Sequence, residues 1–197
     1  MKKKLTIGLT GGYGTGKSTI LREFKRLGAK TISADKLARD VVKAGKPAWK
    51  RIVASFGRDI LGSANAINRR KLAALVFNDP RKRKLLEKIT HPEIIALIIK
   101  RMKASKRHIV VEAPLLFEAR ITHLFDYIIT VTSDFKAVSK RTGKPSAAIR
   151  ARMRSQMPLS KKAALSDFII DNSGSLGDTR RAVKTIWNNL TKLSNYV

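Results

Sequence analysis

The chain has no cysteine, 14 acidic residues against 42 Lys and Arg, and 6% aromatic residues in 197 positions. Without cysteine there is no disulfide, no thiolate-bound zinc or iron–sulfur cluster and no thiol nucleophile, so any chemistry falls to oxygen and nitrogen groups. That absence also agrees with a reducing compartment. Long apolar runs are missing too: none exceeds the six residues of Ile94 to Ile99, against about 20 for a membrane-crossing helix. The opening Met1-Lys2-Lys3-Lys4 followed by Leu5 to Thr10 imitates a signal peptide. Glycines and Lys17 cut its apolar part short and no small-residue cleavage site follows, so it reads as the first strand of a cytoplasmic protein.

The shortage of acids leaves a formal charge of +28. Such a surface attracts polyanions, whether nucleic acid, acidic membranes or phosphorylated metabolites, without choosing among them. The basic residues are spread along the chain, so a solvated surface and a nucleic-acid footprint both stay open. An apolar fraction of 43% is that of a folding chain rather than a disordered polycation. The length suits one compact domain with room for a subdomain.

Leu5 to Thr10 has the pattern of a buried strand, Gly11 to Gly16 is glycine-rich, and Lys17 to Leu27 spaces Ile20, Leu21, Phe24 and Leu27 on one helical face. A second strand at Lys30 to Ser33 and a helix at Ala34 to Lys43 follow. From Gly45 to about Ser105 helical segments succeed one another, with Asp79-Pro80 and His91-Pro92 as helix starts. Strands return at His108 to Glu112 and Asp126 to Thr132, then a basic helical stretch, a last strand at Asp167 to Asp171 and a closing helix to Leu193. Five strands alternating with helices predict a doubly wound α/β/α fold of three layers around a parallel five-stranded sheet.

Gly11 to Ser18 satisfies G-x-x-x-x-G-K-[ST] between a predicted strand and a predicted helix. In such a P-loop, backbone N–H groups of Gly12, Tyr13, Gly14, Thr15 and Gly16 turn toward phosphate oxygens. Lys17 reaches the β and γ phosphates, and Ser18 supplies a hydroxyl to Mg²⁺. Asp35 follows the second strand. It either orients an attacking hydroxyl in line with the γ phosphate or caps a helix, and its spacing does not decide. Glu112 ends an apolar strand, as a Walker B carboxylate does, and its role is open between a Mg²⁺ partner and a structural group. Between Lys140 and Lys162 stand eight basic residues and no acidic one, which suits a lid that keeps water from the γ phosphate. Arg141 and Arg154 are its candidate phosphate contacts.

Several segments together resemble the dephospho-CoA kinase family. They are Leu9 to Thr19, Ala34-Asp35 with Ala38-Arg39, Arg70 with Leu72 and Val76-Phe77, His91-Pro92, Pro114 to Glu118, Gln156, and Asp167 to Gly174. The resemblance covers nearly the whole chain. It implies a P-loop kinase core at 1–44, 106–139 and 164–197, a helical domain for the CoA substrate at 45–105, and a lid at 140–163. It further implies transfer of the γ phosphoryl group of ATP to the ribose 3′-hydroxyl of dephospho-CoA with Mg²⁺. A monomer is the expected state, with an oligomer left open. Asp35, Lys17 and Arg141 would then act in catalysis, Thr19 and Asn172 would join the P-loop and Arg141 around the nucleotide, and Arg70, His91, Pro114 and Leu115 would join Asp35 around the substrate. Ser18 and Glu112 would face the metal. The chain differs from many members at Ser33, where an aspartate is common, and in a shorter stretch from Asp134 to Arg141. Other readings of the same residues are a nucleoside or nucleotide kinase and a nucleic-acid-binding ATPase, the latter disfavoured by the few aromatics.

Overall fold

The computed structural model describes residues 4–77 and 79–193. The expected core segments at 1–3 and 194–197 lie outside them. Two compact units emerge, one from residues 1–33 with 102–197 and one from 34–101.

The first unit is built on a five-stranded sheet of β1 (Thr6–Gly11), β2 (Lys30–Ser33), β3 (Ile109–Glu112), β4 (Tyr127–Thr132) and β5 (Phe168–Asp171). Its order is β2-β3-β1-β4-β5, and every pairing is parallel. Parallel pairing sets all five carboxyl ends on one edge, where ligands bind in open α/β sheets. Register places Glu112 opposite both Leu9 and Ser33, and Gly11 opposite Val131.

Alternation along β1 explains the layers. Leu5, Ile7 and Leu9 face a core shared with Ile20 and Phe24 of α1 (Lys17–Arg26) and Val183, Trp187 and Leu190 of α9 (Leu176–Leu193). Phe24 and Trp187 meet edge to face, ring centres 5.9 Å apart, a contact worth about 0.5–1.5 kcal/mol beyond its area. The intervening residues face the other way: Gly8 abuts Leu116 and Phe125, and Thr130 meets α8 (Leu159–Ala164).

The second unit contains α2 (Ala34–Val41), α3 (Pro47–Phe56), α4 (Arg69–Phe77) and α5 (Pro80–Lys103), the last running two residues beyond it. Its boundary falls at Ala34 rather than at the expected 45, because Val41 of α2 is buried with Ala48 and Ile52 of α3 in one apolar cluster. The expected break at His91-Pro92 is absent, and α5 runs through Pro92. Proline costs that helix one N–H donor. Leu86 and Ile89 before it, and Ile94 and Leu97 after it, pack on the same cluster, and this tertiary burial outweighs the local preference.

The basic stretch is not one helix. It divides into α6 (Phe135–Thr142), α7 (Ser146–Arg154) and α8, with breaks at Gly143-Lys144-Pro145 and Met157-Pro158. All three group with the sheet unit. Among the described residues no helix is long and apolar enough to cross a membrane.

Candidate active site

The loop from Gly11 to Gly16 joins β1 to α1 at the carboxyl edge of the sheet. Its shape requires glycine at two positions above all. Gly14 has φ 72°, and a Cβ there would lie 2.7 Å from Val138 Cγ1 and 2.9 Å from Thr142 Cγ2 of α6. Gly16, at φ 87°, caps α1, and a Cβ on it would run into Nδ2 of Asn172. Left-handed backbone and close packing therefore coincide. The start of α1 directs its first-turn N–H groups and the positive end of its dipole into this loop, the arrangement that binds phosphate.

Lys17 is 8% exposed, and its ammonium donates to the carbonyls of Gly12 at 2.7 Å and Gly11 at 3.2 Å. The charge is thus held within the loop. Thr15, fully buried, folds its hydroxyl back to the Gly12 carbonyl at 3.0 Å. Ser18 is exposed, Tyr13 and Thr19 half-buried.

Two later segments clamp the loop. Asn172, just past β5, is 6% exposed. Its Nδ2 donates to the Thr15 carbonyl at 2.8 Å, and its Oδ1 accepts from the Thr179 hydroxyl at 2.7 Å. Arg141 of α6 is exposed, yet its guanidinium donates to the Gly14 carbonyl at 2.6 Å and the Asn172 carbonyl at 2.8 Å. The Asp134 backbone N–H donates to Ser173 Oγ at 2.8 Å, tying the β4 exit to the β5 exit. On the other side, the Thr10 hydroxyl donates to the Pro114 carbonyl at 3.2 Å, joining β1 to the segment that follows Glu112.

The structure thus brings together the P-loop, Arg141, Asn172 and Pro114, all within the sheet unit. Leu115 is half-buried beside Pro114, and Glu112 is 8% exposed at the end of β3. Ser18 and Glu112 offer hard oxygen donors, the kind Mg²⁺ takes. Among the described residues no group of three or more His, Asp or Glu forms a cage.

Asp35, Arg70 and His91 belong to the helical unit. Asp35 is exposed in the first turn of α2, Arg70 is exposed in the first turn of α4, and His91 is half-buried within α5. This unit also holds an open cavity of about 440 Å³ lined by Lys43, Lys46 and Arg101 with Asp40 and Glu93. Arg70 and His91 lie outside its lining. The Asp40 carboxyl is held below its ordinary range chiefly by a hydrogen bond from Lys43 and by that lysine's charge, with Arg101 and Lys46 adding to the effect against a desolvation that raises it.

Sequence reasoning missed Thr179, Arg152 and Lys162. Thr179 orients the Asn172 amide. Arg152 of α7 stacks its guanidinium over the Tyr13 ring at 5.0 Å, a cation–π contact. In a run of eight cations nothing singled out Arg152 or Lys162, and Thr179, in the first turn of α9, carried no sequence signal that tied it to Asn172.

A family model described as Dephospho-CoA kinase matches residues 5–178. A dephospho-CoA kinase of Syntrophotalea carbinolica is 43% identical over 91% of this chain and 89% of its own length, and one of Arabidopsis thaliana is 38% identical over 91% and 81%. Among solved structures, a dephospho-CoA kinase from Campylobacter jejuni superposes with TM-score 0.73 at 29% identity, covering 96% of this chain and 98% of that one. A shikimate kinase from Acinetobacter baumannii, at 14% identity and TM-score 0.56 over 98% and 96%, shares the fold. The glycine loop, the segments that clamp it and similarity along almost the full length converge: this chain belongs to the dephospho-CoA kinase family.

Proposed function

We propose that the protein transfers the γ phosphoryl group of ATP to the ribose 3′-hydroxyl of dephospho-CoA, giving CoA and ADP, the last step of coenzyme A synthesis. The observation that carries this reading is the clamped P-loop: a loop fixed at the Gly14 and Thr15 carbonyls by Arg141 and Asn172 is already organised for a triphosphate, within a chain that matches a dephospho-CoA kinase over 91% of its length. Phosphoryl transfer is catalysed mainly by positioning and by neutralising charge.

Gly12 to Thr19 embrace the phosphates, and Lys17 moves from the loop carbonyls to the β and γ oxygens. Arg141 adds a second cation at the loop, and Asn172 acts as a positioning residue because both ends of its amide are held by the protein. Asp35 accepts a hydrogen bond from the 3′-hydroxyl and turns its oxygen toward the γ phosphorus. Arg70 and His91 of the helical unit, and Pro114 and Leu115 after β3, contact dephospho-CoA. Ser18 and Glu112 would hold Mg²⁺, which neutralises phosphate charge when bound. The protein acts as a cytoplasmic monomer, and its charge adds a salt-sensitive, sequence-independent attraction to nucleic acid that is separate from catalysis.

The test is ADP formation from MgATP with and without dephospho-CoA, with the product identified by mass. Turnover that requires dephospho-CoA, a product heavier by one phosphate, and losses of orders of magnitude in Asp35→Asn and Lys17→Ala are expected. Hydrolysis stimulated only by nucleic acid, with no phosphate reaching dephospho-CoA, would overturn the reading.

A further inference from the structure

The sequence places Lys162 at the end of a basic run suited to solvent, and the structure buries it. Its side chain is 0% exposed and its ammonium lies 2.9 Å from Glu118 Oε1. The same ammonium donates to the Pro114 carbonyl at 2.6 Å. A buried cation persists only when its donors are used in this way. The Lys162 carbonyl meanwhile accepts from Thr130 of β4 at 3.3 Å, so the residue that grips the loop after β3 is itself rooted on the sheet.

Glu118 has a second partner. Its Oε1 also accepts from the backbone N–H of Met157 at 2.9 Å. Met157 precedes Pro158, the residue that caps α8, and follows the end of α7 at Arg154. Burial raises the Glu118 pKa, but the bonds from Met157 and Lys162 prevail and hold the carboxyl below its ordinary value. One carboxylate therefore joins three segments: the loop Pro114 to Glu118, the α7–α8 junction, and α8. The helix on the far side of that junction carries Arg150, Arg152 and Arg154, and Arg152 already reaches Tyr13 in the P-loop.

We propose that Lys162 and Glu118 are positioning residues that form the fixed pivot of the basic segment, registering the arginines of α7 against the P-loop and the Pro114 loop while α8 stays with the sheet. The proposal rests on the kinase reading above. It divides the region that sequence reads as one lid: α8 is an anchor, and movement is confined to residues before Met157. Loss of the pivot leaves the P-loop and its clamps in place but frees α7 from its register. Water then competes with the acceptor for the γ phosphoryl group.

The experiment compares wild type, Lys162→Met and Glu118→Gln by the ratio of ADP to CoA formed, by kcat and KM for dephospho-CoA, and by amide hydrogen exchange over 113–121 and 153–159. Lys162→Met removes the charge while keeping an unbranched chain at the buried position. Glu118→Gln keeps an oxygen for Met157 but not the ion pair, and its partly exposed position preserves folding if the buried variant fails. Expected in both are an ADP-to-CoA ratio above that of wild type, a drop of about ten- to hundredfold in kcat/KM for dephospho-CoA, and faster exchange in both peptides with β1 and β4 unchanged. A ratio equal to wild type with unaltered exchange at 153–159, even alongside lower thermal stability, would reduce the pair to core packing and overturn the pivot. Wild type that makes no CoA would strike instead at the proposed activity, and the exchange data would still decide whether the pivot exists.

Discussion

The side-chain amide of Asn172 donates to the backbone carbonyl of Thr15 across 157 residues of sequence. Its orientation is fixed, because the amide oxygen already accepts from Thr179 and only the NH₂ face can meet a carbonyl. Asn172→Asp sets a carboxylate against that carbonyl, whereas Asn172→Ala removes the bond. Leaving a buried polar group unsatisfied costs about 1–3 kcal/mol. Both variants should lose kcat/KM for ATP, and Asp should lose more than Ala. Steady-state kinetics with thermal unfolding checks this order, and an Asp variant as active as wild type would refute the clamp.

The glycines of the loop are not equivalent. Gly14→Ala must place a methyl 2.7 Å from Val138 at a backbone angle of φ 72°. At Gly12 the nearest atoms would stand at 3.5 Å from Thr15 and 3.7 Å from Leu159. The thermal midpoint of Gly14→Ala should fall by several degrees and that of Gly12→Ala should barely move, since strain of about 1–3 kcal/mol applies only to the first. Adding Val138→Ala to Gly14→Ala should relieve the contact with Val138 and leave both the contact with Thr142 and the backbone part.

Acid should release the Glu118 bonds. Its folded pKa lies below the ordinary value of 4.5, so its contribution to stability is complete above pH 4.5 and is lost as pH falls through the lower folded value. Urea unfolding of wild type and Glu118→Gln between pH 7 and pH 3 should therefore converge at the acid end. A difference that stays constant with pH would show that the carboxylate charge contributes nothing.

Trp187 packs edge-on against both Phe24, at 5.9 Å, and His108, at 5.6 Å between ring centres. Trp187→Ala should destabilise the sheet unit by about 3–5 kcal/mol, measured as a lower urea midpoint. A loss below about 1 kcal/mol would mean that this end of α9 adds little to the core.

The loop-and-helix unit around Lys17 was legible from sequence because its glycine spacing and its flanking strand and helix are all local. The parallel sheet was legible too, from strands alternating with helices. What escaped were features set by partners distant in sequence. Pro92 looks like a helix start until Leu86, Ile89, Ile94 and Leu97 are seen packing on one cluster. Lys162 looks solvated until Pro114 and Glu118 close over it. Arg152 is one cation among eight until Tyr13 lies beneath it.

The strand order has a consequence in time. β1 lies between β3 and β4, so the earliest made of these five strands waits for both its neighbours, which begin at Ile109 and Tyr127. At about 5–20 residues per second, Leu5, Ile7 and Leu9 spend many seconds without the partners that later cover them. The centre of the sheet is therefore completed only after residues 109–132 have been made. The clamp on the P-loop closes later still, because Asn172 stands 157 residues after the Thr15 carbonyl that it holds.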